Sequence, residues 1–255
     1  MKRVSLCRLS YALVVLHLFL FLPSGKLFAN EALVLDIKRK GGQVFLHAET
    51  GRIVEVNFNG HTLLDTRLLA KIAKENAITD LSLEQTPVGD EELELLSELS
   101  NLEWLNLYKT QITDTGLTNI AKLTHLKHLP IGETKITDQG LKRLRSLRQL
   151  EYLGLRKTAV TDQGLGLLKT FPNLKGLHLG ETQVTDEGLK HLTALTGLTK
   201  LWLHDTEVSD DGLKSLAELK ELRQLMIYNT RVTAKGFEYL HAKLPGCLIL
   251  YHIEE

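Results

Sequence analysis

The chain repeats itself every 24 residues from Ile78 onward. Leucine returns at positions 102, 126, 150, 174, 198 and 222, and each unit carries apolar residues at its positions 1, 4, 6, 11, 16, 19 and 22. Across seven units, Lys243 alone departs from this pattern. A period of this length is typical of proteins built from stacked structural repeats, in which each unit contacts its two neighbours.

Each unit is predicted to form a strand, a turn and a helix. Positions 4 and 6 alternate as in a strand, whereas positions 16, 19 and 22 recur at a helical spacing. Between them stands a pair such as Thr137-Asp138, whose oxygens can accept hydrogen bonds from free amides at a helix start, and whose carboxylate opposes the helix dipole. One unit cannot bury its own apolar face, so stacked units must share a continuous core.

The unit LxxLxLxxTxITDxGLxxLxxLxx resembles the leucine-rich repeat, over about Ile53–Leu244. It is similar to the Thr-Asp-x-Gly-Leu repeats of many bacterial exported proteins. The resemblance implies an α/β fold, a right-handed horseshoe-shaped solenoid with a parallel sheet on the concave face and helices on the convex face. A threonine at position 9 of each unit, Thr134 for example, is interpreted as structural, because its hydroxyl can satisfy nearby backbone groups.

Residues 1–29 are predicted to be a signal peptide. Three basic residues in the first eight precede the mostly apolar stretch Leu9–Leu22, which Pro23 interrupts. At about 14 residues, that stretch is too short to span a bilayer comfortably, but it suits a signal peptide. Cleavage after Ala29 would release the protein into the periplasm or the medium. The alternative is that the segment stays uncleaved and anchors the protein in the membrane.

Composition excludes several functional classes. Lys+Arg and Asp+Glu both number 31, which argues against a dedicated nucleic-acid binder. Cys7 and Cys247 are too few for a disulfide framework or a Cys-rich zinc site, and Cys247 is expected to be a small core residue. The absence of an Asn-x-Ser/Thr sequon favours a bacterial exported protein. No second long apolar run follows residue 29, so no membrane span is expected once the signal is removed.

The ends of the array are predicted to be capped. Residues 30–52 form the N-terminal cap, residues 53–245 form one imperfect and seven regular repeats, and residues 246–255 form a C-terminal cap strand. The cap is expected to contain a helix at Asn30–Lys40 and strands at Gln43–Ala48 and Arg52–Phe58. The apolar residues assigned to the imperfect repeat are Val56, Phe58, Leu63, Leu68 and Leu69.

Function is expected to come from strand positions 3, 5 and 7, which point away from the core. In leucine-rich repeats these positions line the concave face, where partners commonly bind. They are enriched here in large aromatic side chains, and exposed aromatic surface is usually a binding surface. The predicted partner-binding residues are Trp104, Tyr108, His128, Tyr152, His178, Trp202, His204, Met226 and Tyr228. Gly132, Gly154, Gly176 and Gly180 lie among them and suggest a shallow open floor between two aromatic walls.

We therefore expect a non-catalytic scaffold that binds a protein partner, without cofactor or metal. No HxxxH or CxxC pattern supports the histidines, which come from different strands and columns. Glu133 and Glu181 stand two units apart, about 10 Å by strand spacing, and a hydrolase using them is one alternative. A second is that the aromatic side chains bind a glycan, and a third is that they merely stiffen the sheet.

Overall fold

A computed structural model describes residues 30–251. The predicted signal peptide, residues 1–29, lies outside them, as do the last four residues of the predicted C-terminal cap. Ten strands form one open sheet in chain order, with β1 antiparallel to β2 and all later neighbours parallel. Helices alternate with the parallel strands, which confirms the predicted α/β leucine-rich repeat solenoid.

The strands are short, as one strand per 24-residue unit requires. They are β1 Gln43–Leu46, β2 Ile53–Asn57, β3 Asp80–Ser82, β4 Trp104–Asn106, β5 His128–Pro130, β6 Tyr152–Gly154, β7 Gly176–His178, β8 Lys200–Trp202, β9 Gln224–Met226 and β10 Leu248–Leu250. From β3 to β9, position 3 of each repeat lies beside position 3 of the next. Side chains at one position therefore form columns that run across the sheet.

The helices follow the turns. They are α1 Glu31–Arg39, α2 Thr66–Ile72, α3 Asp90–Leu96, α4 Leu117–Ile120, α5 Asp138–Arg143, α6 Asp162–Leu165, α7 Asp186–Leu192, α8 Asp210–Leu216 and α9 Ala234–Lys243. Short 3-10 turns at Leu144–Ser146 and Leu168–Thr170 continue α5 and α6. Among the periodic apolar positions, all are buried except Phe237, which is half-buried, and Lys243, which is exposed. The repeats thus share one continuous core.

The Thr-Asp turn joins neighbouring repeats. Asp138 accepts the Thr161 amide at 2.9 Å and the Thr161 hydroxyl at 2.7 Å, and the Thr161 hydroxyl oxygen accepts the Gln163 amide at 3.3 Å as the N-cap of α6. The same pair of acceptor contacts recurs at Asp90, Asp114, Asp162, Asp186 and Asp210. The expectation that each aspartate hydrogen-bonds its own helix start is therefore wrong: the aspartate holds the next repeat, and threonine or serine caps helices α5 to α9.

The glycine that stands 26 residues after each of these aspartates, in the next repeat, leaves room for this inter-repeat contact. A Cβ built on Gly188 would collide with the carboxylate of Asp162, and the equivalent glycines meet the preceding aspartate in the same way. The Asp-x-Gly spacing therefore serves two purposes: it lies at a helix start, and its glycine makes room for the aspartate of the preceding repeat.

Replacing Asp162 by alanine should lower the free energy of unfolding by roughly 2 kcal/mol, because two charge-assisted hydrogen bonds to Thr185 are lost. Loss of a helix cap alone would cost about 1 kcal/mol. Urea titration of the wild type and of Asp162→Ala measures the difference between their free energies of unfolding. The matched control is Asp211→Ala, whose exposed carboxylate pairs with Lys214 one helical turn away; its loss should change stability far less, because exposed ion pairs contribute little. Equal effects of the two changes would contradict the inter-repeat role.

The N-terminal cap contains the predicted helix and two strands. Asn30 accepts the Leu33 amide at the start of α1, and Gly41, at φ 89°, ends that helix. One assignment in the imperfect repeat is wrong: Leu63 is 59% exposed, and Leu64 is buried in its place. The turn after Phe58 is one residue longer than in later repeats, which shifts the apolar position. The domain boundaries at residues 52/53 and 245/246 stay predictions.

Two further residues acquire a physical explanation. Pro130 lacks an amide proton, and β4 and β5 align through Trp104 and His128 alone, whereas every other parallel pair aligns three residues. At the opposite end, Cys247 is buried beside the last strand, and burial raises the pKa of its thiol to about 11. Cys247 belongs to the hydrophobic core, which confirms its predicted role as a small core residue.

Candidate functional site

All nine predicted partner-binding residues belong to the sheet-face columns that point away from the core. Six of them lie within strands β4 to β9, and Tyr108, His204 and Tyr228 follow their strands by two residues. Eight are half-buried, and His204 is only 7% exposed. Side chains on this face are therefore packed against one another instead of projecting singly into solvent.

Six of the eight rings among these residues form one connected set, which we call the aromatic cluster: His128, Tyr152, His178, Trp202, His204 and Tyr228. Trp202 stacks on His178 with ring centroids 5.4 Å apart and meets the edge of Tyr152 at 6.1 Å. His204 stacks on Tyr228 at 4.8 Å and meets His178 edge-on at 5.2 Å. His128 joins through Tyr152 at 6.4 Å. These separations lie in the range at which aromatic pairs stabilise each other.

Gly176 and Gly180 lie beneath these rings. A Cβ on Gly176 would come within 2.8 Å of the Tyr152 ring, and one on Gly180 would come within 2.6 Å of His204 Cε1. Tyr152 therefore reaches across its neighbouring strand to Trp202. The expectation of an open floor between two separate aromatic walls is wrong, because rings from adjacent repeats cover the space that the glycines leave.

A polar cluster lies beside the aromatic one. Arg156 donates to the Tyr108 hydroxyl at 2.6 Å and to Glu133 at 3.0 Å, and its other terminal nitrogen contacts Glu181. The Tyr108 hydroxyl donates to Glu133. Burial, together with this hydrogen bond, raises the pKa of Tyr108 to about 12, while the same hydrogen bond lowers the pKa of Glu133.

This arrangement bears on the hydrolase alternative. A glycosidase pair needs one carboxyl group with a raised pKa to act as general acid. Here the permanently charged Arg156 bridges Glu133 and Glu181, and the pKa of Glu133 is lowered. The two carboxylates are thus held as ion-pair partners of one guanidinium.

A third group forms where β7 and β8 end. His204 Nδ1 lies 2.7 Å from Asp205, and Asn229 donates to the other Asp205 oxygen at 3.1 Å. Glu181 lies close by, so that one ligand atom from each of Glu181, His204 and Asp205 falls within 4.8 Å of the others. The sequence places His204, Glu181 and Asp205 on one face, but it gave no reason to expect that they converge, because the histidines come from different strands and two of the three groups stand at position 8.

A family model described as a leucine-rich repeat region matches residues 71–248, well over half of the chain. The chain belongs to the leucine-rich repeat family. Among solved structures, internalin C2 of Listeria monocytogenes is similar, with 27% sequence identity and a TM-score of 0.52. That match covers 65% of this chain and 66% of the internalin chain, just under two thirds. A search of curated proteins finds no match.

Leucine-rich repeat proteins bind protein partners, so family and fold support a protein-interaction scaffold in general terms and point to a non-enzymatic repeat protein. The helices of residues 30–251 include none that is long and apolar enough to cross a membrane.

The solenoid extends the concave face beyond the predicted residues. Leu248 and Leu250 of β10 lie in register with Gln224 and Met226, and are 57% and 40% exposed. Sequence reasoning treated this segment as a cap and missed its outward face. The alternation Leu-Ile-Leu could have revealed it, since Ile249 aligns with the buried Leu225 and its two neighbours must point the other way.

The leucine-rich repeat protein should lose stability in mild acid through His178. Burial, reinforced by unfavourable electrostatic interactions with His204 and Arg156, lowers the pKa of His178 from 6.5 to about 4. The unfolded chain then binds a proton more readily than the folded chain, so this contribution is complete above about pH 6.5 and is lost as pH falls through about 4. The melting temperature of His178→Phe, measured from pH 7 to pH 4, should therefore fall less steeply than that of the wild type. Parallel curves for the two proteins would contradict the prediction.

Proposed function

We propose that the protein is a non-catalytic scaffold that binds a protein partner on the concave face of its sheet. The observation that carries the proposal is a row of large side chains at position 5, which we call the position-5 strip: His178, Trp202, Met226 and Leu250. These four residues lie side by side on β7 to β10. Each is half-buried or exposed, whereas the neighbouring position-4 residue on each of β7 to β9 is fully buried.

The strip is well suited to association. Contiguous apolar surface is uncommon on soluble monomers and often marks a contact site. Aromatic residues and methionine are enriched in protein interfaces, and a few such anchors carry most of the binding energy. Trp202 is held by His178 and Tyr152, so little side-chain entropy remains to be lost when a partner covers it.

The aromatic contacts favour a protein partner over a glycan. Glycan recognition requires ring faces that are free to stack on a sugar. In the aromatic cluster, His178 covers one face of Trp202, and His204 and Tyr228 are stacked face to face at an angle of 6°. The surface left to a partner is a mixed strip of ring, thioether and leucine side chains, which complements apolar protein side chains.

We propose further that the protein is exported from a bacterial cell and acts in the periplasm or outside. The support is in the sequence: a basic start, the apolar stretch Leu9–Leu22, a break at Pro23 and a candidate cleavage site after Ala29. Removing four basic residues with the signal leaves 27 basic against 31 acidic residues. An uncleaved segment would place the same scaffold at the membrane surface.

The proposal is tested by capturing partners from the envelope fraction of the host cells, and then titrating the purified partner against wild type and Trp202→Ala/Met226→Ala. The proposal requires that the affinity depend on this pair of side chains. Equal affinity for both proteins would place the contact on the convex helices or the loops.

A further inference from the structure

The cluster of Glu181, His204 and Asp205 lies outside the position-5 strip. One ligand atom from each lies within 4.8 Å of the others. We propose that these three residues bind a divalent transition-metal ion of the zinc type at the edge of the concave face.

The histidine is held in place before an ion arrives. His204 is only 7% exposed, and its ring is stacked on Tyr228 and abutted by His178. Packing on both sides fixes the direction of Nδ1, which faces Asp205 at 2.7 Å. For Nδ1 to ligate an ion, the ring proton must reside on Nε2, which is one of the two neutral tautomers of histidine.

The carboxylates are also positioned by their surroundings. Asp205 and Glu181 both have left-handed backbones, with φ of 56°, and Asn229 donates to Asp205 at 3.1 Å. This amide supports the carboxylate from behind, as outer-shell partners do in metal sites. The Asp205 side chain is 40% exposed, so an ion can approach from solvent and keep water in its remaining positions.

The donor set selects the class of ion. One imidazole nitrogen and two carboxylates leave an open coordination position, as in sites that hold zinc with three protein ligands. Calcium and magnesium prefer oxygen-only ligands, whereas imidazole suits zinc and its neighbours in the first transition row. With zinc bonds of about 2.0–2.2 Å in a tetrahedron, ligand atoms lie about 3.3 Å apart. Atoms that are now up to 4.8 Å apart must approach each other, and the 2.7 Å contact between His204 and Asp205 must lengthen. Side-chain rotation of Glu181 and Asp205 can supply both changes.

A resident cation competes for this site. Arg156 contacts Glu181, and the Lys157 ammonium lies 3.9 Å from its other oxygen. Arg156 is also bound to Glu133 and Tyr108, so it can release Glu181 and still keep a carboxylate partner. Metal binding therefore exchanges one cation for another at Glu181, and removal of the arginine charge should strengthen it.

The test uses the purified protein and Zn²⁺, titrated in competition with a chromogenic chelator at pH 7.5. We expect one ion per chain, at least tenfold weaker binding for Asp205→Asn, and severalfold tighter binding for Arg156→Gln. The control Asp211→Asn, on the convex helix α8, should bind like the wild type, and Ca²⁺ should not compete. Melting curves identify any variant that fails to fold, and Glu181→Gln then replaces Asp205→Asn.

Absence of saturable binding, or equal Zn²⁺ affinity of wild type and Asp205→Asn, would overturn the site. An Arg156→Gln variant with unchanged affinity would also overturn it, since the ion would then not compete for Glu181. Because no partner takes part in this titration, its outcome is separate from that of the proposed scaffold function.

Discussion

Replacing Leu177 by alanine is expected to lower the free energy of unfolding by roughly 2–5 kcal/mol, the range observed when a large aliphatic side chain is removed from a packed core. Leu177 is fully buried in β7, in register with Leu153 and Leu201 of the flanking strands. Neighbouring repeats fix these positions on both sides. The cavity left by Leu177→Ala cannot close unless two adjacent repeats move. The loss in free energy of unfolding should therefore exceed that at a position where the surrounding side chains can fill the cavity.

Urea denaturation followed by tryptophan fluorescence measures this loss, since Trp104 and Trp202 lie on strands of the same sheet. The matched control is Leu35→Ala, because Leu35 is an exposed leucine of α1 and should change stability by under about 0.5 kcal/mol. If Leu177→Ala cost no more than this control, the assignment of position 4 to the core would be wrong.

The periodic positions explain why so much of the fold could be predicted. An apolar residue recurring every 24 positions has one consistent solution, which places Leu177 and its counterparts in a shared core. Predictions of burial were wrong where the structure departs from the 24-residue period. Because one extra residue follows Phe58, Leu64 is buried instead of Leu63. A periodic pattern does not reveal a single residue inserted in an imperfect repeat.

Contacts between repeats were harder to predict than contacts within one. The pattern shows Asp162 beside Thr161, so helix capping is the obvious interpretation. Its actual partner, Thr185, stands 23 residues later. In the same way, Tyr152 packs over Gly176 of the next strand. Both contacts depend on how one unit is placed against the next, which the sequence of a single unit does not specify.

The candidate site was predictable in position and not in its packing. Alternation along the strands placed Trp202 and Met226 on the outer face, where the structure has them. It could not show that the rings contact one another, nor that Arg156 connects Glu133 with Glu181. These contacts are set by side-chain length and rotamer, and they decide which surfaces remain available to a partner.

Truncating both Trp202 and Met226 to alanine should weaken partner binding by more than tenfold. Central aromatic anchors commonly contribute over about 2 kcal/mol each, and about 1.4 kcal/mol corresponds to a factor of ten. The two residues are paired across β8 and β9, with Leu250 next in the strip, so the double variant removes the middle of the proposed contact. The convex control, Lys190→Ala with Lys214→Ala, removes two exposed lysines that pair with Glu187 and Asp211 and should change affinity by less than twofold.

Melting temperatures separate binding from stiffening, the two roles that the aromatic cluster can have. Trp202 contacts His178 and Tyr152, but the core lies on the other side of the sheet, so the double variant should remain folded with a small loss of melting temperature. If the rings served mainly to stiffen the sheet, the same variant would melt far earlier, while its affinity at a temperature where it is folded would be unchanged. Reduced affinity with near-native melting is the outcome expected of a binding surface, because the side chains then contribute their free energy when a partner buries them.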